Sequence, residues 1–124
     1  MIGTCLLVGG IVQAMLPGDR FSIAWRHSVE KTRWEERYAV SGDRLVLEES
    51  RVEGFGAGME PPQGARLVDG SWRWVPALPP LPEVRLTLSP YTEDYTVCWA
   101  ERCAPLHTLV HAADIATVTL RPCG

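Results

Sequence analysis

The chain has 124 residues, a net charge of −3 and a single lysine, Lys31. That length suffices for one domain with a sizeable core, and the charge leaves no basic footprint for nucleic acid. Eleven glycines and ten prolines interrupt the chain too often for long helices and suit short strands joined by turns.

Met1 to Leu16 is apolar, but no basic region precedes it and Gly9-Gly10 breaks it. It is too short to cross a bilayer and reads as two strands, Thr4–Val8 and Ile11–Leu16, rather than as a signal peptide. The next stretch, Phe21 to Val40 (FSIAWRHSVEKTRWEERYAV), alternates as a β-hairpin. Phe21, Ile23, Trp25 and His27 share one face of the outgoing strand. Trp34, Glu36, Tyr38 and Val40 share one face of the return.

With Val29 to Thr32 as the loop, Phe21 falls opposite Val40, Ile23 opposite Tyr38, Trp25 opposite Glu36 and His27 opposite Trp34. On the other face, Arg26 then meets Glu35 as a cross-strand ion pair. This register leaves Glu36 among aromatic residues, where a carboxylate needs a partner or takes up a proton. His27 is its expected partner.

Arg44 to Val52 reads as the next strand, with Leu45 and Leu47 on a face that continues as Glu49 and Arg51. Gly54-Phe55-Gly56-Ala57-Gly58-Met59-Glu60-Pro61-Pro62 is a shaped loop, since alternating glycines and paired prolines exclude regular structure. It lacks the Gly-Lys-Ser/Thr triplet and following helix of a phosphate loop. Trp72 and Trp74 share one face of a short strand, and Pro76 to Pro82 runs extended to the next. Val84, Leu86 and Leu88 mark a half-buried strand, as do Tyr95, Val97 and Trp99, and Ile115 to Leu120 close the chain. His107 and His111 stand four apart near Pro105 and, with no acidic partner expected beside them, read as solvent-exposed rather than as a metal pair.

Four cysteines allow three disulfide pairings, and sequence selects none of them. Cys98 and Cys103 flank Trp99-Ala100-Glu101-Arg102 and would face each other across a hairpin, within disulfide reach. Cys5 and Cys123 lie in the first and last strands and would tie the termini. A zinc knuckle needs a second closely spaced pair, which is missing. A disulfide at Cys98 and Cys103 implies an oxidising compartment.

These elements assemble into an all-β fold, a mostly antiparallel sandwich or flattened barrel of about eight to ten short strands. No nucleophile, base and orienting group can be placed together, so an enzyme is not expected. The weaker catalytic alternative is a hydrolase using His27 and Glu36. The preferred expectation is a binding module without cofactor or metal. Its candidate pocket gathers His27, Glu30, Lys31, Arg33 and Glu36 at the hairpin end, with Glu60 from the glycine loop, around a small acid, an ion or a partner loop. A third reading docks a partner through Trp72, Trp74 and the proline run.

Two long motifs, Trp25 to Glu36 (WRHSVEKTRWEE) and Gly56 to Pro62 (GAGMEPP), resemble a bacterial family catalogued as domain of unknown function 1850. Asp69 to Trp74, Leu78 to Leu81 and Asp94 to Cys98 fit it as well, so the likeness spans about Cys5 to Cys103. The resemblance implies no established activity. It does imply genomic company with tripartite ATP-independent periplasmic (TRAP) transporters of the TAXI branch. An extracytoplasmic accessory role follows as an expectation, with the permease or its substrate-binding protein as partner.

Overall fold

The computed structural model describes residues 2–26, 32–53, 61–112 and 114–124. Among them are eleven strands and one short helix. The strands are β1 (Gly3–Val8), β2 (Ile11–Pro17), β3 (Arg20–Arg26), β4 (Arg33–Ser41), β5 (Arg44–Val52) and β6 (Arg66–Val68). They continue as β7 (Ser71–Trp74), β8 (Val84–Leu88), β9 (Thr96–Trp99), β10 (Arg102–Pro105) and β11 (Ala116–Cys123), with α1 (Leu106–Leu109) between the last two. A four-stranded sheet in the order β2-β1-β11-β8 faces a seven-stranded sheet in the order β10-β9-β3-β4-β5-β7-β6. Every pairing is antiparallel. The fold is therefore an open all-β sandwich, the first of the two expected forms.

Alternating apolar residues line the space between the sheets. Leu6, Leu86, Val118 and Leu120 from the smaller sheet meet Phe21, Ile23, Tyr38, Leu45, Leu47 and Val97 from the larger, and all are buried. Gly9 and Gly10 form the tight β1–β2 turn, both at positive φ (59° and 79°), which is the geometry that two-residue hairpins demand. A disulfide joins Cys5 of β1 to Cys123 of β11, tying the first and last strands side by side within the smaller sheet. The proline run crosses from β7 to β8 and is pinned midway, where Leu81 and Leu45 exchange backbone hydrogen bonds of 2.7 and 2.8 Å.

Two expectations about register are corrected. The β3–β4 pairing sets Phe21 opposite Tyr38, Ile23 opposite Glu36, Trp25 opposite Trp34 and Arg26 opposite Arg33. The strands therefore pair two residues away from the expected register. A two-residue slip preserves each residue's face while changing its partner. Arg26 thus does not meet Glu35 and lies 4.0 Å from Glu93. In β5, the register shifts between Arg37 and Tyr38 of its partner strand, leaving Glu48 as the extra residue of a β-bulge. The buried face of β5 therefore continues from Leu45 and Leu47 to Ser50 and Val52, and Glu49 and Arg51 turn outward.

Candidate functional site

Strand β4 divides the expected pocket between two faces. Trp34, Glu36 and Tyr38 point inward, and Arg33, Glu35 and Arg37 point outward. Arg33 and Glu36 consequently do not share a pocket. His27, Glu30, Lys31 and Glu60, the other expected members, lie outside the described residues.

On the inner face, Glu36 is half-buried between Ile23 and Ser50 of the neighbouring strands. Its Oε1 accepts a hydrogen bond of 3.1 Å from the Tyr38 hydroxyl, a donor the sequence reading did not assign. Burial raises the Glu36 carboxyl above the usual carboxylate range, with the Tyr38 hydrogen bond opposing it. Burial first, then the charge of Glu36, raises the Tyr38 phenol. Tyr95 is raised for the same reasons, Asp94 adding to Glu36. Beside this group Trp25 stacks on Trp34 at 6.3 Å, and edge contacts join Trp25 to Tyr95 at 5.8 Å and Trp34 to Trp74 at 6.4 Å. Trp72 and Trp74 are both half-buried. Trp25 packs against the core, and Trp74 continues the aromatic row toward the sheet margin.

The outer face is cationic. Reading across the sheet, Glu35 of β4 lies opposite Arg51 of β5, Arg51 opposite Arg73 of β7, and Arg73 opposite Arg66 of β6. Arg26 and Arg33 oppose each other in the next row. Directly opposed like charges destabilise a sheet, and here that cost is incurred repeatedly.

Glu35 offsets part of it, taking hydrogen bonds from Arg37 at 2.9 Å and Arg33 at 3.3 Å. Burial acts to raise its carboxyl. The hydrogen bond from Arg37, the charges of Arg37 and Arg51, and the hydrogen bond from Arg33 together outweigh burial and hold it below the usual range. Arg51 is held by Glu49. Arg73 is different: its Nε is shielded from solvent and has no hydrogen-bond partner among the described residues. A covered donor left unpaired costs about 1–3 kcal/mol unless something supplies an acceptor.

Two clefts open elsewhere. One, of about 500 Å³, lies at the β10 end of the arginine face between Arg20, Ser22, Arg37, Arg102 and the Cys98–Cys103 disulfide. The other, of about 480 Å³, is lined by Ser89, Thr92, Asp94, His107 and Asp114. In it Asp94 Oδ2 lies 2.7 Å from His107 Nδ1 and accepts the His107 backbone N–H at 2.9 Å. His107 therefore has the acidic partner that its sequence neighbourhood lacked. The fold brings Asp94, ahead of β9, against α1, a proximity that spacing does not reveal. His111 is exposed, and its backbone exchanges hydrogen bonds with the Gln13 side chain.

All four cysteines are oxidised, in the Cys98–Cys103 and Cys5–Cys123 pairs, which leaves no thiolate for zinc. Among the described residues no cluster of three His, Cys, Asp or Glu side chains has metal-ligand geometry. No helix among them is long and apolar enough to cross a membrane.

An open antiparallel sandwich with one arginine-rich sheet face and two oxidised cysteine pairs defines the class. The family model described as "Domain of unknown function (DUF1850)" matches residues 21–106, more than half of the chain, and the protein belongs to that family. No curated protein and no solved structure matches it.

Proposed function

We propose that this protein is a non-catalytic binding module that works outside the cytoplasm as an accessory of a TAXI-type TRAP transporter. Its outer sheet face docks an acidic segment of a transporter component. The observation that carries this reading is the line Arg51–Arg73–Arg66, in register across three strands, with the Arg73 Nε at its centre shielded and without a partner among the described residues. Arginine presents a planar fork of donors matched to carboxylates, so an acidic segment would relieve the like-charge opposition. The broad face suits an extended segment better than a single small acid. Two disulfides fit an oxidising compartment, and the genomic company implied by the family likeness points to the transporter.

The test is biolayer interferometry of the purified protein against the permease and its substrate-binding protein over a range of salt. Binding to one of them should weaken as salt rises. It should fall about tenfold or more in Arg66→Glu, an exposed position whose substitution leaves the core intact. Binding to neither, or binding indifferent to Arg66→Glu, would overturn the proposal.

A further inference from the structure

The two disulfides lie in different settings. Cys5 of β1 is buried, and Met15 of β2 stands directly opposite it on the neighbouring strand. Its partner Cys123 is half-buried. Cys98 and Cys103 oppose each other directly in the β9–β10 ladder, and both line the cleft of about 500 Å³ on the outer face of the larger sheet. Cys98 is half-buried, whereas Cys103 is exposed.

Access then decides which sulfur reacts. Thiol–disulfide exchange needs an attacking thiolate to reach one sulfur from the side opposite its bonded partner. Arg37, Ser22, Cys98 and Cys103 run in register across β4, β3, β9 and β10. Attack on Cys98 would have to come from over Ser22 and Arg37. The row ends at Cys103, because β10 is last in the sheet order and no described strand pairs beyond it. Cys103 Sγ is therefore the open target and Cys98 the leaving thiolate. The turn above the bond adds to this. Ala100 and Glu101 both adopt positive φ (44° and 64°), a geometry uncommon for residues other than glycine, so the disulfide at the base helps to hold a turn that its residues resist. Opening the bond still leaves the fold standing. A separation of 5 residues constrains the unfolded chain far less than the 118 spanned by Cys5–Cys123. Just past β10, Leu106 stays buried in the core, with its N–H donating to Tyr95 O at 2.9 Å.

We infer that Cys98–Cys103 is a thiol–disulfide exchange site whose co-reactant is an external dithiol, of the kind that paired-cysteine oxidoreductases carry. One thiolate of the dithiol attacks Cys103 Sγ, the Cys98–Cys103 bond breaks, and Cys98 leaves as a thiolate that takes up a proton. The other thiolate of the reagent then attacks the mixed disulfide. Cys103 is released and protonated, and the dithiol departs as a disulfide. The protein gains the electron pair and the protons that the dithiol gives up, and the reverse steps restore the bond. Cys5–Cys123 stays closed throughout and holds the fold while the β9–β10 hairpin is unclamped. The inference does not depend on the docking face, which uses Arg66 and Arg73 at the opposite edge of the sheet.

Millimolar dithiothreitol, added to the intact oxidised protein without denaturant, tests it. Samples are quenched with N-ethylmaleimide over time and the modified cysteines mapped by peptide mass spectrometry. Cys98 and Cys103 should become alkylated about tenfold faster or more than Cys5 and Cys123, while the circular dichroism spectrum is retained. Glutathione, a monothiol that stops at the first step, should be found early on Cys103, with alkylation on Cys98. Both disulfides opening at one rate would mean that reduction waits for global unfolding, and would overturn the inference. Faster loss of Cys5–Cys123, no reaction of Cys98 and Cys103 in the folded protein, or early glutathione mainly on Cys98 would each overturn it too.

Discussion

Replacing Tyr38 with phenylalanine removes one oxygen and leaves the Glu36 carboxylate without its only hydrogen-bond donor among the described residues. The ring itself is buried and stacks on Phe21 at 5.2 Å, so packing is conserved and the change isolates the hydrogen bond. A hydrogen bond to a charged group contributes about 1.5–3 kcal/mol, and Tyr38→Phe should cost that much at neutral pH. For a chain of this length the midpoint of thermal unfolding should drop by roughly 4–15 °C.

The pH dependence gives a second reading. Because the Glu36 carboxyl is raised in the folded state, its contribution to stability is fully present below the usual carboxylate range and is lost as pH rises through the raised value. Tyr38→Phe raises it further, so stability should fall more steeply with pH than in wild type. Glu36→Gln removes this titration and should be more stable than wild type at pH 8 but not at pH 3. Urea melts of both variants at those two pH values test the argument. A Tyr38→Phe variant within about 0.5 kcal/mol of wild type, or a larger loss at pH 3 than at pH 8, would refute it.

The two disulfides should differ in their effect on stability. Cys5–Cys123 closes a separation of 118 residues and Cys98–Cys103 one of 5. The chain-entropy relation gives about 5 and about 2 kcal/mol respectively. Urea unfolding of the two paired Cys→Ser variants should rank in that order. Glu35→Gln should lower stability at pH 7 by about 1–2 kcal/mol, because it strips charge from the carboxylate among Arg33, Arg37 and Arg51. Since the Glu35 carboxyl is held low in the folded state, its contribution is present above the usual carboxylate range and lost as pH falls through the folded value. The difference between Glu35→Gln and wild type should therefore close as the solution is acidified.

Strand content was legible because period-two alternation depends only on neighbouring residues. Arg44 to Val52 and Val84 to Leu88 form strands with the expected bounds. The faces of β3 and β4 were legible for the same reason, including the inward position of Glu36. Their partners were not, since a slip of two changes every pair and no face. β6, at three residues, is too short for alternation to register. The Asp94–His107 contact joins residues 13 apart in sequence through the turn of β9 into β10, and nothing local announces it.

The bulge at Glu48 has the largest consequence for function. Without it, alternation from Leu45 and Leu47 would send both Glu49 and Arg51 into the sandwich, with Arg51 beside Trp34. The extra residue reverses the parity of the remaining strand. Ser50 and Val52 turn inward, and Arg51 turns outward, in register with Arg73 and Arg66. The hydrophobic requirement of the core is thus met, while the second half of β5 contributes its charge to the opposite face. Glu48 itself projects outward to Arg20, with its carboxylate 3.0 Å from Arg20 Nε. One inserted residue therefore shapes the outer face at both ends. It aligns the arginine line toward β6 and supplies the carboxylate that neutralises Arg20 in the cleft toward β10. Deleting Glu48 should therefore lower stability and acidic-segment binding together, whereas Arg66→Glu weakens binding alone.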